Sequence, residues 1–583
     1  MVARALILLF ALACLAIALG VSAESLALFV NPQVRPRLLP QALAGASILK
    51  TFLLVDALAL AGLALFARRV NQWGFTSRFQ SQWSAAPDEP AVDGWLERNY
   101  QVLLLALMAL AGALRFWGLG NDLWMDEVFS LVGAGRSSPG QIISLYTDDN
   151  HHTLFVLLAR ISTAAFGESA FSFRLPSALF GIASIWAVAH LGRLVFNRRT
   201  AILAAALLTL MYQHVWFSQN ARGYTILLFC TVVASYLFLM GLQSGRWRYW
   251  VCYALVVALG SFAHLTGIFV GLGHGLVLLM LLARDRSLSN GRWRPWAALA
   301  LSAWFTLHFY ALMLPQLLGH FLKFSQQPKF HFEWQSPAWL IAEAFEQIGI
   351  GLLAGWAGLF VMIPVGVYLF SLFVRRDWVF VALALSPAVV TIAGILLVGW
   401  NLWPRMFFNE LGFAALFATA AAIYFGLLAL RLLPRLPAGA ALVPALVLCA
   451  AAALKLPDVY KYPKQDYTGA RDYVLSQLGT GDVVLGLHMA GKVYKSYYAP
   501  DWPEINTLRE LEARSAHSGY TWVLYTLPRF LQSAKPAIIS KFESEFDVME
   551  TFPGTLAEGS IIVVRSKMPA SEAGSFPAAS RDD

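Results

Sequence analysis

Residues 198–248 read RRTAILAAALLTLMYQHVWFSQNARGYTILLFCTVVASYLFLMGLQSGRWR. Two apolar runs, 200–217 and 224–241, are joined by the short polar turn Ser218-Gln219-Asn220-Ala221-Arg222-Gly223. Arg198 and Arg199 lie before the first run, and Arg246 and Arg248 after the second. An apolar run of about 18 residues is long enough to cross the hydrocarbon core of a bilayer as a helix. A helix satisfies its own backbone hydrogen bonds there, which lipid cannot do. The stretch therefore predicts a helical hairpin with both arginine-bearing ends on one face of a membrane. Arginine and lysine gather in short cytoplasmic loops, so that face is the cytoplasmic one and Arg222 sits at the opposite rim.

The same pattern extends outward in both directions. Further apolar runs fall near 2–30, 41–66, 101–118, 173–192, 250–263, 266–283, 296–316, 351–374, 378–399, 406–429 and 437–454, making thirteen in all. Of the 583 residues, 58% are hydrophobic and 13% charged, and the mean hydropathy is +0.60. A soluble protein of this length could not hide that much apolar surface. The sequence predicts an all-α polytopic membrane protein with about thirteen spans. Threading them puts six basic loops on one side: those of Arg68, Arg69 and Arg78; of Arg193, Arg198 and Arg199; of Arg246 and Arg248; of Arg284, Arg286, Arg292 and Arg294; of Arg375 and Arg376; and of Arg431 and Arg435. The loop 31–40, with Arg35 and Arg37, runs against the trend. The short apolar segments His152–Phe166 and Ser336–Ile350 would break the pattern as spans, so they are expected to lie at the outer interface.

Four regions follow. Residues 1–95 hold two additional spans and a cytoplasmic loop, and 96–454 form the transmembrane core with its long outer loop 119–172. The composition changes at Lys455: 14 basic and 16 acidic side chains lie from there onward, against 29 and 18 before it. Strand-like pieces at 482–486, 521–526 and 560–564 alternate with helical patterns such as 469–478, which predicts a small soluble α/β domain over 455–566 on the outer face. Residues 567–583, rich in Ser, Ala and Pro, are expected to be disordered. The run at the N-terminus continues through Val30, past a small-residue site at Val21-Ser22-Ala23, and is expected to remain as an uncleaved helix. The excess positive charge is too scattered for a nucleic-acid footprint. Cys14, Cys230, Cys252 and Cys449 all fall in apolar runs without metal-type spacing, so neither a disulfide framework nor a cysteine metal site is expected.

Chemistry is expected at the outer rim. The first outer loop opens Asn121-Asp122-Leu123-Trp124-Met125-Asp126-Glu127. A carboxylate at a low-dielectric boundary can hold a raised pKa and act as a general base; the bland alternative is a solvated acid anchoring a helix end. The loop ends Asp148-Asp149-Asn150-His151-His152. Paired histidines beside acids can bind a metal, but the spacing matches no zinc pattern, so hydrogen-bonding roles are expected of His151 and His152 and a divalent metal is not supported. Arg222, beside Tyr224, could snorkel to the surface or fork onto a phosphate. His264 lies in the turn Ala263-His264-Leu265-Thr266, where a lone histidine is more often structural than a ligand contact. Arg405 is basic on the face that is otherwise poor in cations, which invites a functional explanation. Acids in one loop and cations in others fit one reaction: a carboxylate takes a proton from an acceptor while cations stabilise a departing phosphate.

These residues carry a resemblance. Leu123-Trp124-Met125-Asp126-Glu127, Asn150-His151-His152-Thr153-Leu154, and the run from Gly167-Glu168-Ser169 through Arg174-Leu175-Pro176-Ser177-Ala178 to Ser218–Tyr224 resemble motifs of the GT-C superfamily of integral-membrane glycosyltransferases. The similarity is to the branch that holds protein O-mannosyltransferases and the lipid A aminoarabinose transferase. Asp466-Tyr467-Thr468-Gly469-Ala470 and Gly481-Asp482-Val483-Val484 resemble the linker and first strand of the bacterial members' periplasmic domain. The resemblance covers roughly 100–490 and leaves the first two spans aside. It departs from the family at Asn220 and Tyr224, where a carboxylate is often found, and at His152-Thr153, where the family has Pro-Pro.

The resemblance implies a polyprenyl-phosphate sugar donor and an enzyme of the bacterial inner membrane. Asp126 is the implied base of an inverting single displacement and Glu127 its partner. Arg222 and Arg405 would hold the phosphate, with His264, His151, His152 and Tyr224 nearby. It implies no firm cofactor. The acceptor stays open among a protein hydroxyl, lipid A, another lipid and an envelope glycan. A lipid-linked glycan transporter or flippase, or a glycan polymerase or ligase, are the rival readings. A transporter calls for charges near the bilayer midplane and internal repeats; Asp56 is the notable mid-span acid.

Overall fold

The computed structural model describes residues 2–72, 94–146, 151–284, 293–324, 336, 362–372, 378–515, 519–556 and 558–568. The expectations for Arg78, Asp148, Asp149, Asn150, Arg286, Arg292, Arg375, Arg376, the segment 337–350 and the tail beyond 568 lie outside these residues. The described chain is overwhelmingly helical, with one small sheet near its C-terminus. It divides into two compact units: 1–117, 137–162 and 174–454 form the first, and 118–136, 163–173 and 455–583 the second.

The first unit consists of apolar helices, and each of the thirteen hydropathy runs holds helix where it is described, the run 351–374 only over Met362–Leu372. Seven helices are long and apolar enough to cross a bilayer, and three bent pairs raise this to as many as ten among the described residues. Trp247–Ala263, Gly267–Ala283 and Met362–Leu372 are apolar but shorter. So is Thr153–Phe166, in keeping with a segment that does not cross. Three runs read as single spans are broken. The first bends by 106° between Arg4–Gly20 and Ala23–Val30, the second by 63° between Arg198–Leu210 and Tyr212–Ser218, and the third by 92° between Arg294–Tyr310 and Leu314–Lys323. At the first break the Ser22 hydroxyl accepts the Ser25 N–H at 2.9 Å and starts a new helix, a local choice that averaged hydropathy cannot register.

Several buried polar groups of this unit find partners within it, which lipid cannot supply. Thr231, Ser235 and Ser261 donate back to carbonyls four residues earlier. The buried His274 ring lies between the Tyr253 hydroxyl, 3.1 Å away, and the Ser235 hydroxyl, 3.4 Å away. Asp56 on the helix Leu39–Gln72 accepts from Trp304 Nε1 at 2.7 Å and meets His308 Nε2 at 2.8 Å. The mid-span acid therefore has two partners on one neighbouring helix and reads as an interhelical tie. Trp250, Tyr253, Phe238 and Phe380 are among the largest fully buried side chains.

The second unit is built on a five-stranded sheet of order β2-β1-β3-β5-β4, with β1 Val483–Leu487, β2 Glu504–Ile505, β3 Thr521–Tyr525, β4 Phe546–Phe552 and β5 Ile561–Ser566. β1 runs parallel to β2 and β3, whereas β5 is antiparallel to β3 and β4. Leu485, Leu487, Val523 and Val564 meet Leu531, Ile538 and Phe542 in its core. Burying each such side chain is worth roughly 1.5–3 kcal/mol, which accounts for the near-continuous apolar runs of β1 and β3. The helix predicted over 469–478 is observed at Tyr467–Gln477, with the Asp466 carboxylate accepting the Gly469 N–H at 2.8 Å as its N-cap. The same unit takes in residues 118–136, where Asp126 and Glu127 stand in the short helix Met125–Ser130.

Candidate functional site

In the first unit, three separate turns bring four of the expected residues together. His152 stands immediately before the helix Thr153–Phe166, Arg222 in the turn ahead of Tyr224–Ser244, and His264 just after Trp247–Ala263. Arg222 Nε donates to His152 Nε2 at 2.8 Å, and His152 Nδ1 lies 3.1 Å from the Ala263 carbonyl. These two bonds fix the tautomer: Nδ1 carries the proton and donates to the carbonyl, and Nε2 accepts from the guanidinium. Burial, then the charge of Arg222, then His264 hold the His152 pKa well below the usual imidazole value, as a neutral ring requires.

The His264 ring lies 4.9 Å from His152 and 5.0 Å from Tyr224. Its Nδ1 accepts the Thr266 N–H at 3.3 Å and sits 2.8 Å from the Thr266 hydroxyl. The ring proton therefore belongs on Nε2, as a hydrogen-bond donor. Burial first, then Arg222 and Arg405, push the His264 pKa down to about 3. Arg405 is exposed at the head of the turn Pro404–Glu410, with its guanidinium 5.3 Å from the Trp403 ring centroid.

The backbone explains why the Arg222 turn holds its shape. The Ser177 hydroxyl donates to the Arg222 carbonyl at 2.8 Å, and Thr225 Oγ1 donates to the Ser177 carbonyl at 2.9 Å. The turn is thus stapled to the helix Ala170–Val195. A Cβ at Gly223 would run into the Ala263 carbonyl oxygen, so only glycine lets these two turns approach. Arg222 also lies 5.7 Å from the Tyr224 ring centroid, and Tyr224 packs on Phe217.

His151 is placed apart from this group. Its Nε2 is 3.0 Å from the Ile142 carbonyl and its ring meets Tyr146 edge-on. A second buried polar set, unmarked by the sequence reading, joins Arg115 Nη2 to His214 Nδ1 at 2.6 Å, with further Arg115 bonds to the Ala111 and Thr209 carbonyls. His214 stacks on Phe408, which reaches Phe217 and Tyr224. Arg115 ends a span, and buried intramembrane charge of that kind was the available signal.

Asp126 and Glu127 lie in the second unit, and their roles separate. Asp126 is half-buried in the first turn of Met125–Ser130. Glu127 is fully buried, and its Oε2 accepts the Trp124 N–H at 3.2 Å, which makes it a helix cap. The preceding residues are tied to the segment that begins at Lys464. The Asp122 carboxylate accepts the Thr468 N–H at 2.7 Å and its hydroxyl at 2.9 Å. The Leu123 carbonyl accepts the Tyr498 hydroxyl at 2.9 Å, and Met125 N–H donates to Gln465 Oε1 at 2.9 Å. Tyr467 is buried nearby; burial first, then Asp126 and Asp122, push its hydroxyl pKa up. Among the described residues, no three His, Cys, Asp or Glu side chains gather as metal ligands.

Comparison with known proteins fits this arrangement. Residues 150–314 match the family model of dolichyl-phosphate-mannose-protein mannosyltransferase. The apo crystal structure of ArnT from Cupriavidus metallidurans is similar over 82% of this chain and 99% of its own, at 14% identity and a TM-score of 0.50. ArnT bound to undecaprenyl phosphate aligns at 15% identity, over 82% and 98% of the two chains, with a TM-score of 0.40. The apo oligosaccharyltransferase of Archaeoglobus fulgidus aligns at 13% identity, over 74% and 70%, with a TM-score of 0.45. No curated protein matches. The fold is that of a polytopic membrane protein with a small C-terminal sheet domain, and it is similar to the fold of ArnT. Over residues 150–314 the chain is similar to the dolichyl-phosphate-mannose-protein mannosyltransferase family, in line with the resemblance its motifs carry.

Proposed function

We propose that this chain transfers a sugar from a polyprenyl-phosphate carrier to an acceptor on the non-cytoplasmic face of a bacterial inner membrane. Asp126 takes the proton from the acceptor hydroxyl or amine. The acceptor atom attacks the anomeric carbon as the bond from that carbon to the phosphate oxygen breaks, so the sugar is transferred with inversion. The bonding pair stays on the lipid phosphate, which leaves as an anion without needing a proton.

The observation that carries this reading is the group His152–Arg222–Tyr224–His264. A buried guanidinium is held in one plane by its Nε bond to a neutral histidine, next to a second imidazole whose Nε2–H can donate. Guanidinium forks suit phosphate oxygens, and such donors stabilise charge that builds on a leaving group. Arg405, whose charge is felt at His264, adds a second cation to the same group. The donor class is also supported by the family model over 150–314, whose description names a lipid-phosphate sugar. The outer placement rests on the arginine-rich loops that oppose Arg222 in the threading. Glu127, as a cap, positions the helix that bears Asp126 and takes no proton.

The test is incorporation of labelled sugar from a polyprenyl-phosphate sugar into envelope acceptors by purified protein in proteoliposomes. Mass spectrometry of the envelope glycolipids of a deletion strain and its parent identifies the acceptor. Transport of lipid-linked sugar across the vesicle without formation of a new glycosidic bond would overturn the proposal.

A further inference from the structure

We propose that Gln465 is a positioning residue for Asp126, tying the end of the central strand of the C-terminal sheet to the backbone of the catalytic helix; this rests on the reading of Asp126 as the base. The helix Met125–Ser130, which runs on as a π-helical turn over Leu131–Gly135, leaves N-terminal N–H groups without intrahelical partners. Its Met125 N–H goes to Gln465 Oε1 at 2.9 Å. Gln465 is fully buried. Its Nε2 donates to Thr526 Oγ1 at 3.0 Å, and the Tyr467 hydroxyl donates to its Oε1 at 3.2 Å.

The orientation of this amide is forced. Met125 offers only an N–H, so the glutamine must turn its oxygen there and its nitrogen to Thr526. Thr526 immediately follows β3. One side chain therefore links the end of the central strand to the N–H of Met125, the residue before Asp126. The neighbouring ties reinforce it: Thr468 on Asp122, the Tyr498 hydroxyl on the Leu123 carbonyl, and Lys492 Nζ, 4.5 Å from the Phe129 ring centroid. Gln465 stands just ahead of the Asp466-Tyr467-Thr468 stretch. On this account the soluble domain acts as a frame that sets where the base points.

Misplacing a catalytic group by about 1 Å costs on the order of 100-fold. Gln465→Leu removes all three side-chain hydrogen bonds at similar volume. In the full-length protein it is expected to lower kcat roughly 10- to 100-fold, with KM for the lipid donor within about threefold, since no donor contact is lost. Gln465→Glu restores an acceptor for the Met125 N–H and places negative charge beside Asp126. It is expected to recover most of kcat and to move the acidic limb of the kcat–pH profile to higher pH. Asp126→Asn runs alongside. If Asp126→Asn is inactive while Gln465→Leu keeps kcat within threefold, the positioning role is wrong and the base assignment stands. If Asp126→Asn is active, both fall. Should Gln465→Leu fail to fold, Gln465→Glu decides the matter: an unmoved acidic limb overturns the proposal.

Discussion

Replacing Arg222 with alanine separates two consequences that the structure ties to one side chain. Its Nε bond to His152 is the 2.8 Å contact of a buried pair, and His152 has no room to turn because its Nδ1 is committed to the Ala263 carbonyl. Removing the guanidinium leaves His152 Nε2 buried without its donor, a cost of about 1–3 kcal/mol in stability. Under the proposed function it also removes a charge-assisted contact to the donor phosphate, worth about 1.5–3 kcal/mol in binding. At about 1.4 kcal/mol per factor of ten, the donor affinity should fall roughly 10- to 150-fold. Titration of polyprenyl-phosphate sugar into protein in nanodiscs reads the second effect, and the thermal midpoint in the same nanodiscs reads the first. His152→Phe with and without Arg222→Ala closes a double-mutant cycle, which should give a coupling of about 1 kcal/mol or more in stability. Donor affinity unchanged within twofold, in a variant that has lost thermal stability as expected, would refute the phosphate role and leave Arg222 as a structural pair for His152.

Two further outcomes follow from the same geometry. Arg405 is exposed and makes no deep packing, so Arg405→Ala should leave the thermal midpoint unchanged and weaken donor binding about 3- to 30-fold, measured by the same titration. The His264 pKa of about 3 lies below the ordinary value of 6.5, so its neutral form is the one the fold favours. Its contribution to stability is therefore complete above 6.5 and is lost as pH falls toward 3. Affinity for the phosphodiester donor should be flat between about pH 5 and 8; a step near pH 6.5 would show a charged imidazole at the site.

The apolar helices were legible because hydropathy reports length and composition; among the described residues seven to ten of them are long enough to be spans, against the thirteen expected. The breaks at Val21-Ser22, Met211 and Ala311–Met313 were not, because a window average hides one residue that caps or turns. The strands at 483–487, 521–525 and 561–566 were found within a residue or two because they are short apolar runs. β4 was missed: Phe546-Asp547-Val548-Met549-Glu550-Thr551-Phe552 is an exposed edge strand carrying acids, and a bulge between Val548 and Glu550 breaks its alternation. Arg222, His152 and His264, which the structure groups together, stood out in the sequence because each stands in a polar turn beside apolar runs. Arg115 and His214 were missed because they lie within helices, where sequence shows a buried charge but not its partner. The capping role of Glu127 was hidden because Trp124 at the cap position lacks the hydroxyl or carboxylate that marks a capping box.

The central claim is that the Asp126 carboxylate accepts the acceptor's proton. Asp126→Asn keeps the shape and removes the base, and single-turnover transfer of labelled sugar from a saturating polyprenyl-phosphate donor in proteoliposomes measures the consequence. Transfer slowed by about 100-fold or more, with donor affinity and thermal midpoint at wild-type values, is the expected result. Transfer at close to the wild-type rate would contradict the account.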